Sequence, residues 1–144
     1  MVAELTRWKL SLAVAFSALT GYLIFAGDVH GSLLPVAAGV FLLSAGASAL
    51  NQYTERKSDA LMGRTAGRPL PSGRMNPVTA AGMAFLLIVS GSILLGINGL
   101  LPVLLGLVNV LIYNVVYTGL KKTTPLAIIP GALVGAVPPL IGYT

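Results

Sequence analysis

The sequence predicts an all-α, multi-pass membrane bundle of about five transmembrane helices, and three observations predict it. Only 9% of its 144 residues are charged while 56% are hydrophobic, with a mean hydropathy of +0.88; a soluble domain carries about 25% charged residues. The nine Lys and Arg and the four Asp and Glu fall in short clusters separated by long uncharged stretches. Five of those stretches approach the roughly 20 apolar residues that cross the hydrocarbon core of a bilayer. They are residues 10–26, 33–50, 78–97, 100–118 and 125–143, so a single transmembrane domain is expected over 1–144.

The connections alternate in charge. Residues 28–32 and 98–99 carry no Lys or Arg, whereas the segments 1–9, 51–77 and 119–124 hold all nine. Basic residues collect on the cytoplasmic side of a membrane, which places the N-terminus and the loop 51–77 in the cytoplasm, with a multi-pass plasma (inner) membrane as the expected location. Residues 1–9 carry both signs of charge, unlike a transit peptide, and the apolar stretch after them reads as a first span rather than a cleaved signal, because more membrane follows. Asn76-Pro77 reads as an N-cap followed by proline at the first helical position. Gly119 is expected to end the fourth span as a C-terminal glycine, and Gly131-x-x-x-Gly135 to admit a close helix neighbour. In the fifth span, Pro138 and Pro139 predict a kink or break. The sequence contains no cysteine, which excludes a disulfide scaffold, a thiolate metal site and a cysteine nucleophile. Nucleic-acid binding is not expected, because the basic residues are confined to membrane-flanking clusters instead of spread over a face with aromatics between them.

The chemistry concentrates in residues 51–74. Asn51, Glu55 and Asp59 recur every four residues, and on a helix each step of four advances about 40°, so the three share one face about 80° wide. An amide oxygen and two carboxylates are hard ligands suited to Mg²⁺, which binds one or two carboxylates and takes its other ligands from water and phosphate. Arg56, Lys57, Arg64, Arg68 and Arg74 follow within the same segment. Carboxylates for a metal beside a dense set of cations fit a diphosphate held from both sides, since Arg forks phosphate oxygens and Lys acts as a point charge. The same residues also suit a plainer account, in which Glu55 and Asp59 pair with loop cations and the cations set topology. Asn51 speaks against that account, because an amide at the end of an apolar helix is costly without a partner.

A second polar stripe lies on the fourth span. Asn109, Tyr113, Tyr117 and Lys121 are spaced by four and descend toward the basic end. An interfacial tyrosine belt with a snorkelling lysine would explain Tyr117 and Lys121. Asn109 lies too deep for that, so the stripe reads as cavity-lining. The lone histidine, His30, stands beside glycine and serine in a short connection and reads as solvated.

The stretch Asn51-x-x-x-Glu55-Arg56-x-x-Asp59-Ala60-x-Met62-x-Arg64-Thr65-x-x-Arg68-Pro69-Leu70 resembles the first aspartate-rich motif of the UbiA prenyltransferase superfamily. Glu55, Met62 and the Arg64-Thr65 pair make it most similar to the protoheme IX farnesyltransferase (heme O synthase) branch. Tyr117-Thr118-x-x-Lys121-x-x-Thr124-Pro125 resembles that family's tyrosine–lysine motif, and Gly135-Ala136-x-Pro138-Pro139-Leu140-x-Gly142 the sequence that follows it.

The resemblance implies the first half of a UbiA-type bundle. Asn51, Glu55 and Asp59 would hold Mg²⁺ against farnesyl diphosphate, and Arg64, Arg68, Tyr117 and Lys121 would contact its phosphates. Heme B would be the prenyl acceptor and the lipid bilayer the surroundings. A UbiA-type enzyme acting on a quinone or chlorin ring, and a non-catalytic membrane protein that binds diphosphate lipids or assists assembly, are the alternatives. Members of the family carry a second aspartate-rich motif, yet no acid follows Asp59 here. The expectation is therefore an incomplete or split enzyme, inactive alone, that a second polypeptide supplying the C-terminal half would complete.

Overall fold

A computed structural model describes residues 2–27, 31, 33–120 and 123–143, without the side chains at 2, 127 and 143. The described residues form a helical bundle. A short α1 (Val2–Thr6) turns at Arg7, which has the left-handed φ of 49°, into α2 (Trp8–Ala26), and Gly27 caps α2 at φ 66°. Next come α3 (Leu33–Ala60), α4 (Pro77–Gly96) and α5 (Leu100–Leu111). A π-helical segment, Ile112–Tyr117, widens the end of α5 before the helix resumes as α6 (Thr118–Leu120). A 3₁₀ turn, Pro125–Ala127, leads into α7 (Ile128–Tyr143).

Length and composition make this a multi-pass membrane protein. Four stretches, Trp8–Ala26, Leu33–Ala60, Pro77–Gly96 and Leu100–Leu120, are long and apolar enough to cross a membrane, and Ile128–Gly142 is a shorter apolar helix. Large apolar side chains such as Phe16, Ile24, Phe85, Leu86 and Ile93 stay exposed on the outside of the bundle. That would be untenable in water and is ordinary against lipid. The 28 residues of α3 would measure about 42 Å, against a hydrocarbon core of about 30 Å. Its last turns therefore project beyond the apolar layer, and they carry Asn51, Glu55 and Asp59. The predicted boundary at residue 50 marks where apolar residues stop, not where the helix stops.

Lipid gives helices no hydrophobic reason to associate, so they pack by close approach of small residues. Along α3 and α4, a Cβ added at Gly46 would lie 2.7 Å from Ile88 Cγ1, and one at Gly91 would lie 2.8 Å from the Gly39 carbonyl oxygen. Between α2 and α7, Gly21 faces the Pro139 carbonyl and Gly142 faces the Ala18 carbonyl, both too close for any side chain. One core cluster, including Val40, Leu43, Leu95, Val110 and Ile141, ties α3 to α4, α5 and α7. A second, of Leu5, Ala49, Leu70, Met75, Ala80 and Ala84, packs α1 and the loop after α3 onto α3 and α4.

Local expectations fare unevenly. Asn76 caps α4 as read, accepting from the Val78 N–H at 2.8 Å with Pro77 at the first position. Gly119 does not end its helix: it lies inside α6 and is absent from the positive-φ glycines. No break occurs at Pro138, because α7 runs through both prolines to Tyr143. A membrane helix tolerates proline when its neighbours accommodate the altered backbone, and Gly21 of α2 leaves room for the Pro139 backbone. In the pair Gly131 and Gly135, a Cβ at Gly131 would lie 3.0 Å from the Tyr117 ring, while Gly135 has open space around it.

These contacts predict a contrast between two glycines of one helix. Gly142→Ala forces α2 and α7 apart at a backbone contact and is expected to cost about 1–3 kcal/mol. Gly135→Ala meets nothing and should be neutral or slightly stabilising, since alanine is the better helix former. Unfolding of both variants in detergent, measured by circular dichroism, checks this, and equal stability of the two would contradict the packing described.

Candidate functional site

The end of α3 that leaves the apolar layer is polar and buried. Asn51, Glu55 and Asp59 are 3%, 5% and 5% exposed, so the face predicted from their spacing points into the protein. Buried carboxylates and amides need partners, because each unpaired polar group costs free energy comparable to a lost hydrogen bond or more. Asn51 Nδ2 donates to Glu55 Oε2 at 2.9 Å, one helical turn away. Thr118 Oγ1 donates to Asn51 Oδ1 at 2.8 Å, from the far end of the π-helical segment. Arg68 Nη1 donates to Asp59 Oδ2 at 2.9 Å as an ion pair.

The loop after α3 is folded so that this ion pair can form. Thr65 Oγ1 donates to the Asp59 carbonyl at 2.9 Å, turning the chain as the helix ends. The Met75 N–H donates to the Pro69 carbonyl at 3.1 Å, closing a compact turn with Pro69 and Leu70 buried beneath it. The same end of α3 is tied to α1: Gln52 Nε2 donates to the carbonyls of Glu4 and Leu5, each at 2.9 Å.

The basic residues divide. Arg68 joins the acidic face directly. Arg56 lies over the Tyr53 ring, 4.4 Å from its centroid, and donates to the Tyr53 carbonyl at 2.6 Å on its own helix. Arg74 pairs with Glu4 at 2.9 Å and also donates to the Gly67 carbonyl. That pair is half-exposed, so it adds at most about 1 kcal/mol, and it binds the loop to α1. Lys57 and Arg64 are exposed. Lys121 and His30 lie outside the described residues.

No group of three or more His, Cys, Asp and Glu capable of holding a metal exists among the described residues. The two carboxylates on this face, Glu55 and Asp59, fit Mg²⁺, which binds one or two carboxylates and completes its coordination with water and phosphate oxygens; beside them the Asn51 oxygen accepts from Thr118 and its nitrogen faces Glu55.

One turn before this face, Ser48 lines an open-sided cavity of about 650 Å³ between α2, α3, α5 with its π-helical segment, and α7. Its wall is mainly apolar, with Asn109, Tyr113 and Tyr117 contributed by the predicted stripe. The rings of Tyr113 and Tyr117 are stacked, with centroids 5.8 Å apart and planes 15° from parallel. Asn109 Oδ1 is buried with no hydrogen-bond partner among the described residues. An acceptor left open in an apolar cavity of ligand size is what a site for a largely apolar molecule with a few polar atoms presents.

Sequence reasoning missed Thr118, Gln52 and the π-helical segment. Thr118 was visible only as part of a motif. Gln52, beside Asn51 at the end of an apolar helix, carried the same signal that singled out Asn51. The π-helical segment has no sequence signature comparable to a cap.

The model of the UbiA prenyltransferase family matches residues 14–144. Similar curated proteins include the protoheme IX farnesyltransferase of Geobacter sulfurreducens, 43% identical over 140 residues, covering 97% of this chain and 52% of that protein. The protoheme IX farnesyltransferase of Oleidesulfovibrio alaskensis is 42% identical, covering 98% of this chain and 50% of that protein. This chain thus spans about half the length of the curated relatives it matches. A solved structure described as a digeranylgeranylglyceryl phosphate synthase superposes with a TM-score of 0.89 at 23% identity, over 98% of this chain and 50% of that one, which shows a shared fold. With the family model matched over most of its length, the chain belongs to the UbiA prenyltransferase family.

Proposed function

We propose that this chain forms the first half of a heme-farnesylating transferase: the first metal–diphosphate face, and part of the cavity for the prenyl chain and its acceptor. The observation that carries this reading is a buried oxygen face with its own arginine, Asn51, Glu55, Asp59 and Arg68, one turn from an apolar cavity. The names of the curated relatives support farnesyl as the donor chain and protoheme IX as the acceptor.

Asn51, Glu55 and Asp59 would hold Mg²⁺, which neutralises charge on a departing diphosphate. Arg68, already drawn to Asp59, stands ready to exchange that carboxylate for phosphate oxygens, a bidentate match for its guanidinium. Arg64, Lys57 and Lys121 would add positive charge around the same anion, and Tyr117 a phenol beside it. The bond between farnesyl C1 and the diphosphate oxygen breaks, and C1 bonds to the outer carbon of a heme vinyl group. The inner vinyl carbon, left cationic, takes up water and loses a proton, giving a hydroxyethylfarnesyl substituent. An apolar cavity wall serves this chemistry by keeping water from the allylic cation. The second half of the diphosphate clamp would come from residues beyond this sequence, in the same polypeptide or in a companion one.

In the membrane, the N-terminus and the loop 51–77 would face the cytoplasm of a plasma (inner) membrane, on the strength of the basic residues gathered in segments 1–9, 51–77 and 119–124.

Two outcomes follow. Glu55→Gln with Asp59→Asn is expected to weaken Mg²⁺-dependent binding of farnesyl diphosphate by at least about tenfold, with membrane insertion unchanged. Calorimetry on the chain in nanodiscs measures it, and binding as tight as the wild type's would reduce the face to an ion-pair cluster. Because the chain has no cysteine, a single one at Gly67 or at the exposed Ile97 reports topology. A membrane-impermeant maleimide should label Gly67→Cys only in inverted vesicles and Ile97→Cys only in intact spheroplasts. The reverse pattern would invert the orientation.

A further inference from the structure

The hydroxyl of Thr118 reaches Asn51 because of a local irregularity in the fourth span. The π-helical segment Ile112–Tyr117 packs an extra residue into its turn, a device frequent at functional sites. At its exit, the Thr118 N–H donates to the Tyr113 carbonyl. Thr118 Oγ1 lies 2.9 Å from that carbonyl and 2.8 Å from Asn51 Oδ1, so its single proton has two acceptors within reach. Thr118 and Asn51 are both buried, at 7% and 3% exposure, where polar groups depend on hydrogen-bond partners.

An asparagine amide can sit in either of two orientations. Turned over, Asn51 would set its oxygen against the Glu55 carboxylate and lose the 2.9 Å hydrogen bond its nitrogen makes there. The Glu55 carboxylate, which only accepts, thus fixes the nitrogen, and the Thr118 hydroxyl donates to the oxygen that this leaves on the other side. The result is a chain from Thr118 through Asn51 to Glu55 that joins the π-helical segment to the acidic face.

We propose that Thr118 is a positioning residue for the metal–diphosphate face, acting through the Asn51 amide to hold the Glu55 carboxylate in place. This deepens the diphosphate reading of that face and rests on it. Tyr113 and Tyr117 line the cavity from the same π-helical segment, so one backbone feature shapes the cavity wall and sets the amide beside the acids.

The test compares Thr118→Val, which keeps the shape and removes the hydroxyl, with Thr118→Ser, which keeps the hydroxyl, in the full chain in nanodiscs. Selective ¹⁵N labelling of the five asparagines gives few side-chain amide signals, and Asn51→Asp identifies the one from Asn51. In Thr118→Val the Asn51 amide protons should exchange faster with water, and Mn²⁺-dependent binding of farnesyl diphosphate, read by electron paramagnetic resonance of the Mn²⁺, should weaken by about 10–100-fold. Thr118→Ser should restore both. Amide exchange left unchanged by Thr118→Val, with wild-type binding intact, would overturn the positioning role alone. A wild-type chain that binds no Mn²⁺ with farnesyl diphosphate would overturn the reading of the face, and the role of Thr118 with it.

Discussion

The architecture depends on one constraint: Asn51, Glu55 and Asp59 are buried where a membrane helix leaves the apolar layer, and their hydrogen-bonding capacity has to be met by protein. Each neighbouring peculiarity answers that need. The loop doubles back to place Arg68 on Asp59. A π-helical segment sets Thr118 against Asn51, and Asn51 in turn serves Glu55. Adjacent Gln52 brings α1 beneath the same end of the bundle. The part-buried Asp59–Arg68 pair leaves a charge without its partner when broken singly, which suits a face whose partners would be exchanged together for a charged ligand.

The bundle separates tight seams from open space. Glycines bring α3 against α4 and α2 against α7 to backbone contact, which is how helices cohere where lipid offers no hydrophobic drive. Between these seams α5 packs on α3 through Gly106 and Val110, while Asn109 and the tyrosines of the π-helical segment line the cavity beside it. Asn109 leaves an acceptor unmet there, a cost that a core built only for stability would avoid by using an apolar residue.

Much of this was legible in the residues. Uncharged stretches gave the spans, because in a bilayer composition alone decides what can cross. The oxygen face was legible because a spacing of four needs no tertiary knowledge to become one face of a helix. Choosing Arg68 as the partner of Asp59, out of five loop cations, required the path of the loop, which pattern does not encode. Arg74 was grouped with the phosphate contacts by charge, whereas the fold ties it to Glu4, seventy residues away along the chain. Gly119 and Pro138 have separate explanations: α7 runs unbroken through Pro138 because its neighbours accommodate the altered backbone, while Gly119, with open space around it, keeps an ordinary helical conformation. The π-helical segment was invisible because it arises from packing and hydrogen-bond competition, not from a favoured residue.

The central claim is that this chain supplies half of a farnesyl-transferring site. It is tested most directly by mass spectrometry of heme from membranes given farnesyl diphosphate and Mg²⁺, with this chain alone and with the C-terminal half of a protoheme IX farnesyltransferase co-expressed. Hydroxyethylfarnesyl heme is expected only with both halves, and is expected to vanish when Asp59 is replaced by Asn. No product with both halves present, or undiminished product from the Asp59→Asn chain, would contradict the account.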